Sequence, residues 1–158
     1  MGNELIATDP IVAQNFFLDI DGEKIILMGV SGLDIELDVV TTKSVGADGK
    51  SQTIKTRGNT EKIGDITITR MAPMDSTNDP IWKWFDVVRE AGFKGTDRAG
   101  NRKTGSIIFY DTAFTEVGRF NFTNGWPSKI STDAPSADSN DPVKETITLT
   151  VETLTRVK

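Results

Sequence analysis

The stretch Arg-Phe-Asn-Phe-Thr-Asn-Gly-Trp-Pro-Ser-Lys at residues 119–129 decides the fold, together with residues 145–154. In each of the two segments apolar and polar side chains alternate with the period of two that is typical of a β-strand. The Gly-Trp-Pro sequence at residues 125–127 predicts a break between two strands. Neither segment contains a recognisable catalytic arrangement, so the first inference concerns architecture.

Alternating segments recur along the chain and predict a sheet of six to eight strands. The other predicted strands lie at residues 16–20, 24–28, 33–39, 64–70, 104–111 and 116–122. Asp21-Gly22 stands between the first two and is a typical hairpin turn. In residues 33–39 aliphatic side chains alternate with Asp34, Glu36 and Asp38, which predicts a half-buried strand.

One segment has the helical period instead. Asp79 is a suitable N-cap and Pro80 suits the first helical position. The apolar stripe of this helix comprises Ile81, Trp84, Phe85 and Val88. The sequence therefore predicts a mainly β protein, an antiparallel β-sandwich or barrel with one flanking α-helix at about residues 80–91. We expect a single domain over residues 1–158, with an N-terminal extension at 1–15 and a long extended loop at about 41–62.

Composition excludes several classes of function. The chain has 158 residues, a formal net charge of −5, no cysteine and no histidine. It therefore lacks disulfides, thiolate nucleophiles, the usual zinc ligands and histidine-based triads, and its charge is unsuitable for general nucleic-acid binding. We expect no signal peptide, no membrane anchoring, no cofactor, no metal and no enzymatic activity.

Two groups of side chains leave alternatives open. Asp34, Glu36 and Asp38 could bind a divalent cation or act as acid and base, although a solvated sheet face is the more ordinary interpretation. Trp82, Trp84 and Trp126 could form a sugar-stacking platform, but packing is the more ordinary role for them. The predicted packing anchors are Trp84, Phe85, Phe120, Phe122 and Trp126.

Charge is segregated between two polar segments. Residues 41–62 carry five basic side chains, namely Lys43, Lys50, Lys55, Arg57 and Lys62, against two acidic ones. The segment 131–142 carries three aspartates, Asp133, Asp138 and Asp141, and no basic residue. Two interpretations remain at this point: a solvated surface, or complementary loops through which copies dock head to tail.

The order of these segments resembles the tail tube family of contractile-tailed bacteriophages and extracellular contractile injection systems. The resemblance spans residues 16–154 and is carried by seven motifs: Phe-Leu-Asp-Ile-Asp-Gly at 17–22, Val-Ser-Gly-Leu-Asp-Ile-Glu at 30–36, Gly-Asp-Ile-Thr-Ile-Thr-Arg at 64–70, Asp-Pro-Ile-Trp-Lys-Trp at 79–84, Arg-Phe-Asn-Phe at 119–122, Gly-Trp-Pro-Ser-Lys at 125–129 and Glu-Thr-Ile-Thr-Leu at 145–149. The type VI secretion tube protein is similar in fold.

The resemblance implies a structural subunit whose hexameric rings stack into a hollow tube. Its partners would be copies of itself, sheath subunits, baseplate and tube-initiator proteins, with DNA or protein cargo passing through without specific binding. Assembly would take place in the bacterial cytoplasm, and the tube would belong to a virion tail or an injection particle. Residues 41–62 would reach the neighbouring ring, and we expect Asp34, Glu36 and Asp38 to line the channel. The alternatives are a monomeric carbohydrate-binding β-sandwich and a metal-dependent hydrolase.

Overall fold

A computed structural model describes residues 15–91, 101–138 and 140–158. The strands are β1 (Asn15–Ile20), β2 (Glu23–Leu27), β3 (Gly29–Ser31), β4 (Ile35–Val45), β5 (Ser51–Ile63), β6 (Ile66–Met71), β7 (Lys103–Tyr110), β8 (Glu116–Thr132), β9 (Lys144–Thr150) and β10 (Thr153–Arg156), and the helix is α1 (Pro80–Ala91). The predicted mainly β fold with one helix is confirmed. The N-terminal extension predicted at residues 1–15 lies outside the described residues, apart from Asn15.

The strands form two separate sheets. An eight-stranded antiparallel sheet has the order β2-β1-β7-β8-β9-β6-β3, with β10 also paired to β8. The second sheet is the hairpin of β4 and β5 alone. We call this hairpin the arm, from Ile35 to Ile63.

Strand β8 joins two halves of the large sheet by changing partners along its length. Up to Gly125 it pairs with β7, and β10 lies on its other side, whereas from Trp126 onward it pairs with β9. The prediction of a break at Gly-Trp-Pro was wrong, because the strand is continuous for 17 residues. Its ladder shifts register between Pro127 and Lys129, where the missing N–H of proline is accommodated at a bulge.

The β1–β2 hairpin follows the prediction. Asp21 and Gly22 both have positive φ angles, 52° and 82°, as the tightest hairpin turns require. The chain then leaves β2 and enters β3, which pairs with β6 in the other half. A hydrogen bond from the Met28 amide to the Thr69 carbonyl, 2.7 Å long, marks this crossing.

The two halves and the helix share one hydrophobic core, so the large sheet is sandwich-like. Leu18 and Ile107 come from one half, Ile66 and Ile147 from the other, and all four are fully buried. The helix contributes Ile81 and Trp84. It begins and is capped as predicted, with the Asp79 carboxylate accepting hydrogen bonds from the Ile81 and Trp82 amides at 3.1 and 3.0 Å.

Candidate assembly surfaces

The arm occupies most of the segment that was predicted as an extended loop at about 41–62. It is extended, but as paired strands rather than as a loop. Its register runs from Ile35 opposite Ile63 to Val45 opposite Ser51, where the closing turn carries Gly49 at φ 76°. A bulge shifts the register by two between Leu37 and Val39, so that Asp38 faces Gly58. A Cβ atom at Gly58 would lie 2.6 Å from a carboxylate oxygen of Asp38, so only glycine allows this approach.

The apolar side chains of β4 are not covered within the described chain. Ile35, Leu37 and Val39 remain 45%, 46% and 58% exposed, and the alternation places them on one face of the arm. The sequence predicted a half-buried strand here, which is wrong for the single chain. The pattern of such a strand is present, but the described residues supply no second layer against it. A two-stranded hairpin is at best marginally stable alone in water, so this face requires a covering partner.

The five basic residues of the arm fall into three groups. Lys43, Lys55 and Arg57 share the face of Leu37, because directly paired residues lie on the same side of an antiparallel ladder. Lys62 pairs with Glu36 on the opposite face, and Lys50 lies at the closing turn. The structure therefore concentrates three positive charges on the distal part of the apolar face.

The acidic row predicted to line a channel is less regular than the sequence suggested. Asp34 precedes β4, so only Glu36 and Asp38 belong to the strand. Glu36 is exposed, whereas Asp38 is partly buried against Gly58. Over the described ranges no group of three or more carboxylates lies close enough together to hold a metal ion.

Asp133, Asp138 and Asp141 lie in the connection between β8 and β9, which also contains the undescribed Ser139. Asp133 and Asp141 line a shallow surface pocket of about 380 Å³. The Asp133 amide donates a 2.9 Å hydrogen bond to the Lys144 carbonyl, which fixes the start of this connection. Docking of this acidic loop against the basic arm of another copy stays a prediction.

The aromatic side chains lie mainly in packing positions. Trp84 and Phe122 are buried, while Phe85, Phe120 and Trp126 are partly buried. The indole N–H of Trp84 donates to the Asn101 carbonyl at 2.8 Å. Because Trp84 is buried, it cannot take part in an open platform of three indoles for sugar stacking.

A buried ionic network at the start of α1 was not found by sequence reasoning. Arg70, only 4% exposed, donates two 2.7 Å hydrogen bonds to the Asp79 carboxylate and also bonds Glu145 at 3.2 Å. The indole N–H of Trp82 donates to the other Glu145 oxygen at 3.1 Å. Burial would raise the pKa of Asp79, but the hydrogen bonds from Arg70 and from the Trp82 amide outweigh burial and lower it. The network attaches the helix to β6 and β9.

Comparison with known proteins agrees with this architecture. The family model described as T4-like virus tail tube protein gp19 matches residues 12–155. This chain belongs to that tail tube family. No protein with a curated description matches the chain.

Solved structures of tube proteins share the fold. A chain of the PVC sheath-tube complex, from an extracellular contractile injection system in the extended state, is 23% identical, with a TM-score of 0.71 over 99% of this chain and 97% of that one. A chain of the anti-feeding prophage tube-terminating cap is 21% identical, with a TM-score of 0.72 over 96% and 97%. Hcp1 from Flavobacterium johnsoniae is 17% identical, with a TM-score of 0.55 over 90% and 94%. In the part of this chain that the structure describes, no helix has the length and hydrophobicity to span a bilayer.

Proposed function

We propose that this protein is the structural subunit of the inner tube of a contractile phage tail or contractile injection system. Its copies form hexameric rings, and the rings stack into a hollow tube through which DNA or protein effectors pass. Membership of the tail tube family supports the class, and the uncovered apolar face of the arm is the single structural observation that carries the proposal. An exposed hydrophobic face of this kind does not stabilise a single subunit. It stabilises the protein only when another copy covers it in an assembly.

The arm is the element that joins copies. Its apolar part, with Ile35, Leu37 and Val39, packs on a neighbouring subunit, and its basic part meets an acidic surface. The β8–β9 connection with Asp133, Asp138 and Asp141 is the surface we propose for that charge pairing. Such a contact uses two different patches, so it repeats from copy to copy instead of closing a pair.

The other partners follow from the tube. Sheath subunits surround it, and baseplate and initiator proteins start it, in the cytoplasm of the producing bacterium. Asp34 and Glu36 face the channel, where negative charge repels DNA or an acidic cargo and prevents adhesion during transit. Asp38 contributes less to that repulsion, because its carboxylate lies against Gly58. The subunit acts through assembly and performs no chemical step.

Electron microscopy of the purified full chain in negative stain tests the class directly. Rings with six-fold symmetry, or stacked tubes, are expected. A protein that stays monomeric at high concentration, and also in the presence of its sheath and baseplate proteins, would contradict the proposal.

A charge exchange tests the docking of the arm. The triple variant Lys43→Glu, Lys55→Glu, Arg57→Glu should leave the subunit folded but abolish long tubes, and Asp133→Lys with Asp138→Lys in the same chain should restore them. The matched control is Arg89→Glu, Lys129→Glu, Lys158→Glu, which changes the net charge equally outside the arm. Tubes of normal length from the arm variant would show that these charges do not mediate docking.

A further inference from the structure

The turn between β7 and β8 presents an aromatic side chain in a strained backbone conformation. Phe114 has a φ angle of 58° and is 69% exposed. A positive φ is unusual and unfavourable for a bulky residue, whereas glycine or asparagine adopts it readily. None of the ring contacts among the described residues involves Phe114. Phe114 is also not among the residues that form the hydrophobic core or pack against it, so packing within the described chain does not explain an aromatic residue at this position.

The turn that carries Phe114 is held rigidly. The Asp111 carboxylate accepts hydrogen bonds from the amides of Ala113 and Thr115 at 2.9 and 2.8 Å. The Phe114 amide donates to the Asp111 carbonyl, and the Asp111 amide donates to the Thr115 carbonyl, both at 3.1 Å. A fixed turn presents its side chain at little entropic cost on binding. We call residues 111–115 the knob.

An apolar groove lies at the opposite end of the same strand pair. It has a volume of about 320 Å³, and its floor is formed by Ile20, Pro80, Trp84 and Val87. The rim is charged: Lys103 bridges Asp21 at 2.7 Å, and Glu23 and Lys83 complete it. An apolar floor within a polar rim is the usual anatomy of a protein–protein contact.

The register fixes the relative placement of knob and groove. Ile20 pairs with Gly105 at the groove end of β1 and β7, and Asn15 pairs with Tyr110 at the knob end. The Asn15 side chain also donates to the Asp111 carbonyl, which ties the knob to that end. About 17 Å of strand separates the two ends, so Phe114 cannot reach the groove of its own chain.

We infer that Phe114 of one copy inserts into the groove between α1 and the β1–β2 turn of the next copy. The inference rests on the proposed tube function and adds a contact that does not involve the arm. Because the knob and the groove lie at opposite ends of one strand pair, the contact is head to tail and propagates along the strand direction. An exposed aromatic side chain on a rigid turn is a typical anchor of such an interface.

Cysteine cross-linking tests the contact, since the chain has no cysteine of its own. A chain carrying both Ala113→Cys and Val87→Cys keeps the Phe114 ring and should form a ladder of disulfide-linked oligomers on a non-reducing gel, because each copy joins two others. A mixture of the two single variants should stop at dimers. The control pairs Ala113→Cys with Val157→Cys, whose valine is 51% exposed against 48% for Val87. Cross-linking no faster than this control overturns the contact.

The variant Phe114→Asn supplies a second test, in which the stability of the subunit and its tendency to assemble should change in opposite directions. Asparagine tolerates positive φ, so the melting temperature of the unassembled subunit should rise, while the concentration needed for assembly should increase at least tenfold. A fall in melting temperature would show that Phe114 packs within its own chain and would overturn the inference. If wild-type tubes form and the 113–87 cross-link does not, only this contact is wrong; if neither forms, the proposed function fails as well.

Discussion

The apolar side chains of β6, Ile66 and Ile68, are fully buried, whereas those of β4 keep 45–73% of their surface exposed. Both strands alternate apolar and polar residues, and both belong to antiparallel ladders. What differs is the second layer. In the large sheet, the helix and the facing half of the sheet cover the apolar face of β6, whereas within the described chain the arm has no such cover.

The comparison separates folding from assembly. The large sheet and the helix enclose a complete hydrophobic core. Substitutions in this core should alter the stability of the single subunit. The arm should contribute little to that stability until a neighbour covers it. Variants in the two regions are therefore expected to affect different measurements.

The largest effect is expected at the buried ionic network. Replacing Arg70 with alanine leaves the Asp79 and Glu145 carboxylates buried beside each other without their cation, and should lower the free energy of unfolding by about 3–5 kcal/mol. Denaturant unfolding of the subunit measures this. The control is Arg89→Ala, which breaks an exposed pair with Asp86 and should change stability by no more than about 0.5 kcal/mol. Equal effects of the two variants would contradict the structural role of the network.

In the arm, Leu37→Ser should act on assembly instead. Covering the 46% of Leu37 that stays exposed in the single chain contributes about 0.7–1.4 kcal/mol, so the concentration required for assembly should rise about 3- to 10-fold while subunit unfolding changes little. Sedimentation across a dilution series, together with denaturant unfolding, separates the two quantities.

Val40→Ser is the matched control for Leu37, because Val40 is exposed to a similar degree on the other face of the arm. If Val40→Ser raises the concentration required for assembly less than Leu37→Ser does, only the Leu37 face of the arm is covered. If both variants raise it equally, both faces of the arm are covered. A loss of subunit stability at Leu37 without any change in assembly would remove the distinction between the two regions.

Sequence reasoning predicted well where local chemistry decides the structure. Asp21-Gly22 specified the β1–β2 turn, and Asp79 with Pro80 specified the start of α1, because capping and positive φ depend on neighbouring residues. The prediction of a strand break at Gly-Trp-Pro was wrong because Pro127 does not interrupt the strand. A proline can remain in a continuous strand when a bulge removes the need for its N–H, and that depends on the partner strand.

The arm and the ionic network were harder to predict for a different reason. Residues 41–62 contain only two large apolar side chains, Val45 and Ile54, so the period of two that indicates a strand is hardly visible there. Gly58 was the available indication of a bulged strand. The Arg70 network depends on the register that places Arg70 opposite Glu145, which are 75 residues apart in sequence, and on the position of the helix cap. Arg70 and Asp79 are only nine residues apart, but the sequence does not indicate that Glu145 joins them.

The smallest expected effect is on the pH dependence of subunit stability, and it again separates the core from the arm. The folded-state pKa of Asp79 lies below its ordinary value of 3.8, because its hydrogen bonds, chiefly from Arg70, outweigh burial, which would raise it. A carboxyl with a lowered pKa stabilises the folded state fully above its unfolded pKa, and this contribution is lost as the pH falls through the folded pKa. The melting temperature of the subunit should therefore decline below about pH 3.8, and Asp79→Asn, which keeps a capping side chain, should flatten that decline. Asp48→Asn in the turn of the arm is the control and should leave the decline intact. An acid decline of the same steepness in the Asp79 variant would show that the network does not set the acid stability of the core.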